Sequence, residues 1–294
     1  MNTASFDDRD GKIWMNGEMI DWRDARVHIL THAMHYASSV FEGARAYEGE
    51  IFKLQEHTER LFRSAALLDM EIPFSIEEVN QAQIDAVRVN GLTDAYLRPV
   101  VWRGSEMMGV SAQTTRINVA VATWAWPSYF SPEERLQGIR MAMSDWKRPS
   151  PETIPCEAKA AGLYMICTLS KHKAEKDGFA DSLMLDYRGY IAEATGANVF
   201  FEKDGKLHTP TPDCILDGIT RQTVIGLAKA RGIEVIERRI LPEEMADFNQ
   251  CFITGTAAEV TPVSQIGEYS FTVGDITQSL MTDYDQLVRR QLAA

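Results

Sequence analysis

Residues 153–165 read TIPCEAKAAGLYM and set one lysine, Lys159, among Ala158, Ala160, Ala161 and Gly162. A solvated surface lysine needs no such clearance. A lysine that must reach a bulky partner does. The preceding SDWKRPSPETIP is a loop punctuated by proline, the setting in which functional groups concentrate. Partial burial lowers the pKa of an amine and makes it a usable nucleophile or base.

Three further stretches acquire meaning beside it. In GYIAEATGANVF (189–200), Glu193 ends a strand pattern and is followed by small residues and Asn198. It is either a solvated carboxylate at a turn or one aimed at a cationic heteroatom. In GITRQ (218–222) a glycine and a threonine open a helical pattern, where free backbone N–H groups can take a phosphate. ITGTAAEV (253–260) follows a strand with Gly-Thr and two alanines, which offers unobstructed N–H donors beside a hydroxyl. Strand–Gly–Thr turns are common, and each stretch alone says little. Together they supply an amine for an aldehyde, a carboxylate for a pyridine nitrogen and donors for a phosphate. Those are the needs of pyridoxal 5′-phosphate (PLP).

Composition narrows the field. The 294 residues are 45% hydrophobic and 24% charged, ordinary for a chain with a real core. The 30 Lys+Arg against 42 Asp+Glu give a net charge of −12, which argues against nucleic-acid or anionic-membrane partners. No stretch approaches the roughly 18 apolar residues of a membrane span. The start, MNTASFDDRDGK, reads as neither secretory signal nor transit peptide,. A cytoplasmic location is the expectation, with Cys156, Cys167, Cys214 and Cys251 as free thiols,. His32 and His35 are closely spaced imidazoles without a nearby Cys or Glu to complete a zinc pattern, so they read as structural and no metal site is expected. P-loop, Gly-x-Gly-x-x-Gly and Gly-x-Ser-x-Gly patterns are absent from the sequence,.

Residues 11–22 alternate around Asn16-Gly17, a hairpin signal, and 43–54 repeat the pattern around Glu48-Gly49,. Residues 55–69 place Leu61, Ala65 and Leu68 on one helical face,. Ser75 with Glu78 forms a capping box for a helix over 76–90 that Gly91 stops,. AYLRPVVWRG and RINVAVATWAW follow as strands,. Beyond a break, strand 140–145, helix 161–177, strands near 181–186, 190–193 and 197–209, the helix of GITRQTVIGLAKARG, strands 233–240, 250–254 and 260–266, and a helix over 274–291 complete the chain. The class is α+β with two domains: a small N-terminal α/β domain over 1–126, an interdomain linker over 127–139, and a larger C-terminal PLP-binding domain over 140–294.

The chain resembles the fold-type IV PLP aminotransferases, whose fold is that of the D-amino acid aminotransferase-like enzymes, and most closely the bacterial branched-chain amino acid aminotransferases. The resemblance rests on ordered blocks along nearly the whole chain: WMNGEMIDWRDARVHILTHAMHYASSVFEGARAY (14–47), EHTERLFRSA (56–65), AYLRP (95–99), TIPCEAKAAGLY, GYIAEATGANVF and ITGTAAEVTPV (253–263). It implies a mixed, β-barrel-like larger domain and a homodimer, or a hexamer built as a trimer of dimers. It also implies roles by position. Lys159 corresponds to the lysine that forms the Schiff base and moves the proton, and Glu193 to the partner of the pyridine N1. Tyr164 corresponds to the tyrosine on the phenolic oxygen, and Arg60, Ile219, Thr220 and Thr256 to the phosphate cup. Tyr96, Ala257 and Ala258 match the substrate-carboxylate site, with Arg98 in support. Phe41, Trp126 and Tyr129 match the apolar side-chain pocket, and Tyr36 and Val110 match residues that reach in from a neighbouring subunit.

Ala161 and Leu163 depart from the glycine and asparagine common beside the reactive lysine, Pro127 stands where glycine is frequent, and Met107 is bulkier than usual. The activity implied is transfer of an amino group between branched-chain L-amino acids (leucine, isoleucine, valine) and 2-oxoglutarate. D-amino acid and R-amine transaminases and aminodeoxychorismate lyase share the fold and are the alternatives.

Overall fold

The computed structural model describes residues 5–126 and 136–290. Met1–Pro127 together with Ala158–Gly162 form one compact unit, and Ser128–Glu157 with Leu163–Ala294 form a second. Pro127, Tyr129 and most of the expected linker lie outside the described residues.

Two-residue turns that need positive φ organise the start of the first unit. Strands β1 (Lys12–Met15) and β2 (Glu18–Asp21) are joined by Asn16 at φ 51 and Gly17 at φ 101, residues that tolerate this conformation. Strands β4 (Ala44–Tyr47) and β5 (Glu50–Ile51) repeat the device with Glu48 and Gly49. Helix α1 (His32–Tyr36), β3 (Ser39–Phe41), helices α2 (Leu54–Leu67) and α3 (Ile76–Val89), β6 (Ala95–Arg103) and β7 (Ile117–Ala125) complete the unit. Its seven-stranded sheet runs β2-β1-β7-β6-β4-β5, with β3 also on β6. Ala44, Ala46, Val87, Ala95 and Leu97 form one core cluster, and Ile13, Trp22, Trp102 and Ala120 another. Helix α3 starts as expected: Ser75 Oγ accepts from Glu78 N at 3.1 Å and Glu78 Oε2 accepts from Ser75 N at 2.7 Å,.

The second unit is built on β8 (Ile139–Met143), β9 (Asp181–Leu185), β10 (Ile191–Ala194), β11 (Asn198–Lys203), β12 (Lys206–Pro210), β13 (Val235–Arg238), β14 (Gln250–Gly255), β15 (Glu259–Ile266) and β16 (Tyr269–Ser270). They form a curled nine-stranded sheet in the order β10-β9-β8-β15-β14-β11-β12-β13, with β16 on β15. Helices α4 (Tyr164–Lys176), α5 (Ile219–Ala230) and α6 (Asp275–Val288) accompany it. The sheet is mixed: β8 runs parallel to both β9 and β15, while β11, β14 and β15 are antiparallel neighbours. One sheet face is sealed by Val199, Phe201, Ile253, Val263 and Phe271, with the Phe201 and Phe248 rings stacked at 4.8 Å.

Candidate active site

In the first unit the lysine stretch docks as a short strand. Ala160 pairs with Val40 of β3, Phe41 N donates to the Lys159 carbonyl at 3.1 Å, and Lys159 N donates to Ser64 Oγ at 3.0 Å. Ala158 and Ala160 are buried, and a side chain added at Gly162 would meet the Ala37 methyl at 3.4 Å. Part of the room expected around Lys159 is therefore taken up by close approach of chain to chain.

The Lys159 amine lies 5.0 Å from the centre of the Phe41 ring. The Arg98 guanidinium lies 4.8 Å from the same ring and 5.3 Å from that of Tyr96, distances at which a cation interacts with an aromatic face. Arg98 Nη2 donates to Tyr96 Oη at 3.2 Å, and the Tyr96 ring sits 5.3 Å from that of Trp126. Alternation along β6 puts Tyr96 and Arg98 on one face. A Cβ at residue 43 would fall 2.0 Å from Tyr96 Oη, so Gly43 is what lets that hydroxyl sit against β4. Phe41, Tyr96, Arg98, Trp126 and Lys159 are thus one cluster: two cations set into an aromatic wall.

Tyr36 and Val110 lie elsewhere on this unit. Tyr36 Oη donates to the Met108 carbonyl at 3.1 Å, and His32 bridges Ser38 and the Gly109 carbonyl. Val110 is 84% exposed, and Ile29, Met34 and Tyr36 are exposed as well.

Arg60 sits on the buried face of α2. Its Nε donates to Glu42 Oε1 at 2.6 Å and its Nη2 to Glu42 Oε2 at 2.9 Å, while His57 Nδ1 meets Glu42 Oε2 at 2.7 Å. Burial opposes the Glu42 charge, but Arg60 and His57 outweigh it and hold the carboxyl well below the usual range,. Burial also lowers the pKa of His57, against the pull of Glu42, and keeps the ring neutral.

In the second unit, Glu193 at the end of β10 is buried. Its Oε1 lies 3.1 Å from Arg148 Nε, and its Oε2 accepts from Asn198 Nδ2 at 3.3 Å. Burial works against the Arg148 charge, yet Glu193 outweighs it and raises the arginine's pKa. Asn198 also donates to the Leu216 carbonyl at 2.9 Å, and its Oδ1 lies where a Cβ on Gly218 would be. It ties the end of β10 to the start of α5. There Gly218 caps the helix without a side-chain hydrogen bond and the first turn, with Ile219 and Thr220, carries no acid. The turn Thr256–Ala258 joins β14 to β15, and Gly255 packs against Gly196 and Ala197. Thr254 Oγ1, just before it, is buried without a hydrogen-bond partner.

Tyr164 begins α4. The sequence-predicted residues therefore fall into two sets. Lys159, Arg60, Tyr36, Phe41, Tyr96, Arg98, Val110 and Trp126 belong to the first unit, and Tyr164, Glu193, Ile219, Thr220, Thr256, Ala257 and Ala258 to the second.

Sequence reasoning missed Glu42, His57, Ser64 and Arg148. A signal existed for the helical pair: His57 and Ser64 fall at the spacing of Leu61 and Ala65, on a face that must be buried. All four cysteines are unbridged and buried, and burial pushes Cys167 up to about 11 and Cys214 to about 12, which leaves those thiols unreactive. Asp186, Asp213 and Cys214 cluster, but Arg188 bridges both carboxylates at 2.7 and 2.8 Å.

The donor set fits PLP. The first unit offers a lysine amine, and the second offers a buried carboxylate facing arginine, a helix N-terminus without a capping side chain and a buried hydroxyl with no partner. The sequence model of the amino-transferase class IV family matches residues 39–266. The chain belongs to this family, the PLP-dependent aminotransferases of fold type IV.

Within it, the chain is 42% identical to a branched-chain-amino-acid aminotransferase of Pseudomonas aeruginosa, over 97% of this chain and 95% of that protein. The branched-chain amino acid aminotransferase of Escherichia coli superimposes with a TM-score of 0.93 at 38% identity, over 97% of each chain. A T.th. branched-chain amino acid aminotransferase solved with N-(5′-phosphopyridoxyl)-L-glutamate gives a TM-score of 0.92 at 38% identity, over 97% of this chain and 96% of that one.

Proposed function

We propose that this protein is a branched-chain amino acid aminotransferase, moving the amino group between leucine, isoleucine or valine and 2-oxoglutarate in two half-reactions. The observation that carries this reading is the Lys159–Phe41–Arg98 arrangement, in which an amine and a guanidinium flank one aromatic wall. An apolar wall accepts an aliphatic side chain by burial, at roughly 25 cal/mol per Å² of apolar surface. A cation in the same wall offers a partner to a carboxylate, which would otherwise cost several kcal/mol to desolvate.

PLP, when bound, supplies a carbonyl to receive the amino group and a ring to take up the electrons released at the substrate's Cα. In our reading Lys159 takes the proton from Cα and returns it at C4′. Glu193, facing Arg148 at 3.1 Å, holds a proton on the pyridine N1. Tyr164 serves the phenolic oxygen, and Arg60, Thr256 and the N–H groups of Ile219 and Thr220 bind the phosphate. Tyr96, supported by Arg98, and the turn at Ala257 and Ala258 bind the α-carboxylate. Phe41 and Trp126 line the side-chain pocket. The phosphopyridoxyl-glutamate complex of the similar T.th. enzyme supports glutamate and 2-oxoglutarate as the second pair.

We further infer a cytoplasmic homo-oligomer, a dimer or a trimer of dimers, in which Tyr36 and Val110 complete a neighbour's site. The exposure of Val110 and Tyr36 supports this. Among the described residues no helix is long and apolar enough to cross a membrane.

The test is a spectrum of the purified holoenzyme. Its visible cofactor absorbance bleaches with L-leucine and returns with 2-oxoglutarate, and Lys159→Ala does not complete this cycle. A band that ignores L-leucine but responds to a D-amino acid would sink the substrate assignment.

A further inference from the structure

Four polar side chains of α2 are buried: Thr58 accepts from Gln83 of α3 at 2.9 Å, and the other three are His57, Arg60 and Ser64, at 3%, 7% and 1% exposure. A polar group at such depth is costly unless bonded, and each of those three is bonded to something that matters for the site. Ser64 Oγ accepts the backbone N–H of Lys159 at 3.0 Å, while the Lys159 carbonyl accepts from Phe41 N at 3.1 Å. Both main-chain polar groups of the lysine are therefore fixed, and with them the origin of its side chain. Glu42 grips Arg60 through two parallel N–H···O bonds and is itself held by His57 and, at 3.2 Å, by Gly43 N. This fork geometry sets the plane of a guanidinium as well as its place. Arg60 and Ser64 are four residues apart, or about 6 Å along the helix axis.

We propose that Glu42 and Ser64 are positioning residues for the amino-transfer site: α2 is a ruler whose two marks are the guanidinium of Arg60, set by Glu42, and the main chain of Lys159, set by Ser64. The inference rests on the site reading above, in which Arg60 serves the cofactor's phosphate and Lys159 its aldehyde. The two marks act on different ends of the ligand. PLP presents an aldehyde to Lys159 and pyridoxamine 5′-phosphate presents none, whereas both present the same phosphate.

The experiment is therefore a pair of titrations of the full-length apoprotein, with PLP and with pyridoxamine 5′-phosphate, followed by tryptophan fluorescence. Ser64→Ala weakens PLP about tenfold and pyridoxamine phosphate less than about twofold, in line with loss of one hydrogen bond. Ser64→Thr, which keeps the hydroxyl, restores PLP binding. Glu42→Gln weakens both ligands together by about tenfold, and Glu42→Asp does the same because the shorter arm cannot keep the fork. The thermal midpoint of each apoprotein is recorded alongside. A merely structural role lowers that midpoint and leaves both affinities alone, which overturns the proposal. Equal loss of both ligands in Ser64→Ala also overturns it.

Lys159→Ala separates this outcome from failure of the underlying reading. If it erases the preference for PLP over pyridoxamine phosphate while Ser64→Ala does not, Lys159 stands and the ruler falls. If Lys159→Ala keeps the preference, the assignment of Lys159 itself is wrong.

Discussion

Two buried glutamates, one in each unit, face arginine in different ways. Glu42 accepts from Arg60 twice, from His57 and from Gly43 N, at 2.6 to 3.2 Å. Three of these donors fall on Oε2 and one on Oε1. Glu193 meets Arg148 at 3.1 Å and Asn198 at 3.3 Å, longer than the contacts Arg60 and His57 make with Glu42, and Asn198 is shared with the Leu216 carbonyl. The first carboxylate is locked for geometry. The second faces its arginine at a strand end, beside the turn that leads to α5. The difference teaches that a buried ion pair has no fixed meaning: Glu42 sets the place of its arginine through a two-bond fork, whereas Glu193 meets its arginine at one nitrogen and raises that arginine's pKa against burial.

The largest effect should come from the second pair. Glu193→Gln removes the carboxylate that the proposed function sets opposite N1, and turnover should fall about 10²–10⁴-fold, the range for loss of a proton-handling group. It also leaves Arg148 buried without its counter-charge, which destabilises the fold. Glu193→Gln combined with Arg148→Met should recover stability in urea titrations and not recover turnover. Recovery of both would erase the distinction drawn between the two glutamates.

Next comes the first pair. Glu42→Ala strands a buried guanidinium, and urea unfolding should show a loss of about 3–5 kcal/mol. A loss below about 1 kcal/mol would mean that water reaches Arg60, contrary to its burial.

The pH dependence sharpens the same contrast. The unfolded chain protonates His57 near 6.5, but the folded chain resists to lower pH because the ring is buried. Between those values the unfolded state binds more protons, so stability falls as pH falls below about 6.5. Glu42 adds a second loss below about 4.5, where the unfolded carboxyl protonates and the folded one stays charged,. His57→Asn, which keeps a donor near the Nδ1 position, should flatten the decline between about pH 7 and 5.5 and leave the acid limb. An unchanged slope would show that His57 does not titrate as its burial requires.

Much of the fold is legible in the sequence because its signals are local. Asn16-Gly17 and Glu48-Gly49 announce hairpins through the backbone they need, and Gly91 at φ 62 ends its helix as glycine does,. The three-residue β3 and five-residue α1 are too short to show a period. Lys159 stands out by its small neighbours, but Glu42 does not. Its partners are 15 and 18 positions away, and a glutamate after phenylalanine gives no sign that it will be buried against them. Arg148 is hidden for the same reason, since Glu193 is distant in the chain. Local chemistry writes itself into local sequence, whereas a buried charge pair is written only in the fold that closes around it.

A third glutamate supplies the control, and the smallest effect. Glu78 is exposed, and it accepts from Ser75 N in the capping box of α3. Its role is to accept one N–H bond in water, which an amide oxygen does nearly as well. Glu78→Gln should therefore change stability by less than about 0.5 kcal/mol, whereas Ser75→Ala should cost about 1 kcal/mol by removing the acceptor for Glu78 N. Set beside Glu42→Gln and Glu193→Gln, the same exchange of carboxylate for amide would then be nearly silent at the surface, loosen ligand binding at α2 and stop turnover at β10. If Glu78→Gln were as damaging as Glu42→Gln, the account based on burial and partner geometry would fail, because exposed charge is screened by water and salt and has little to lose.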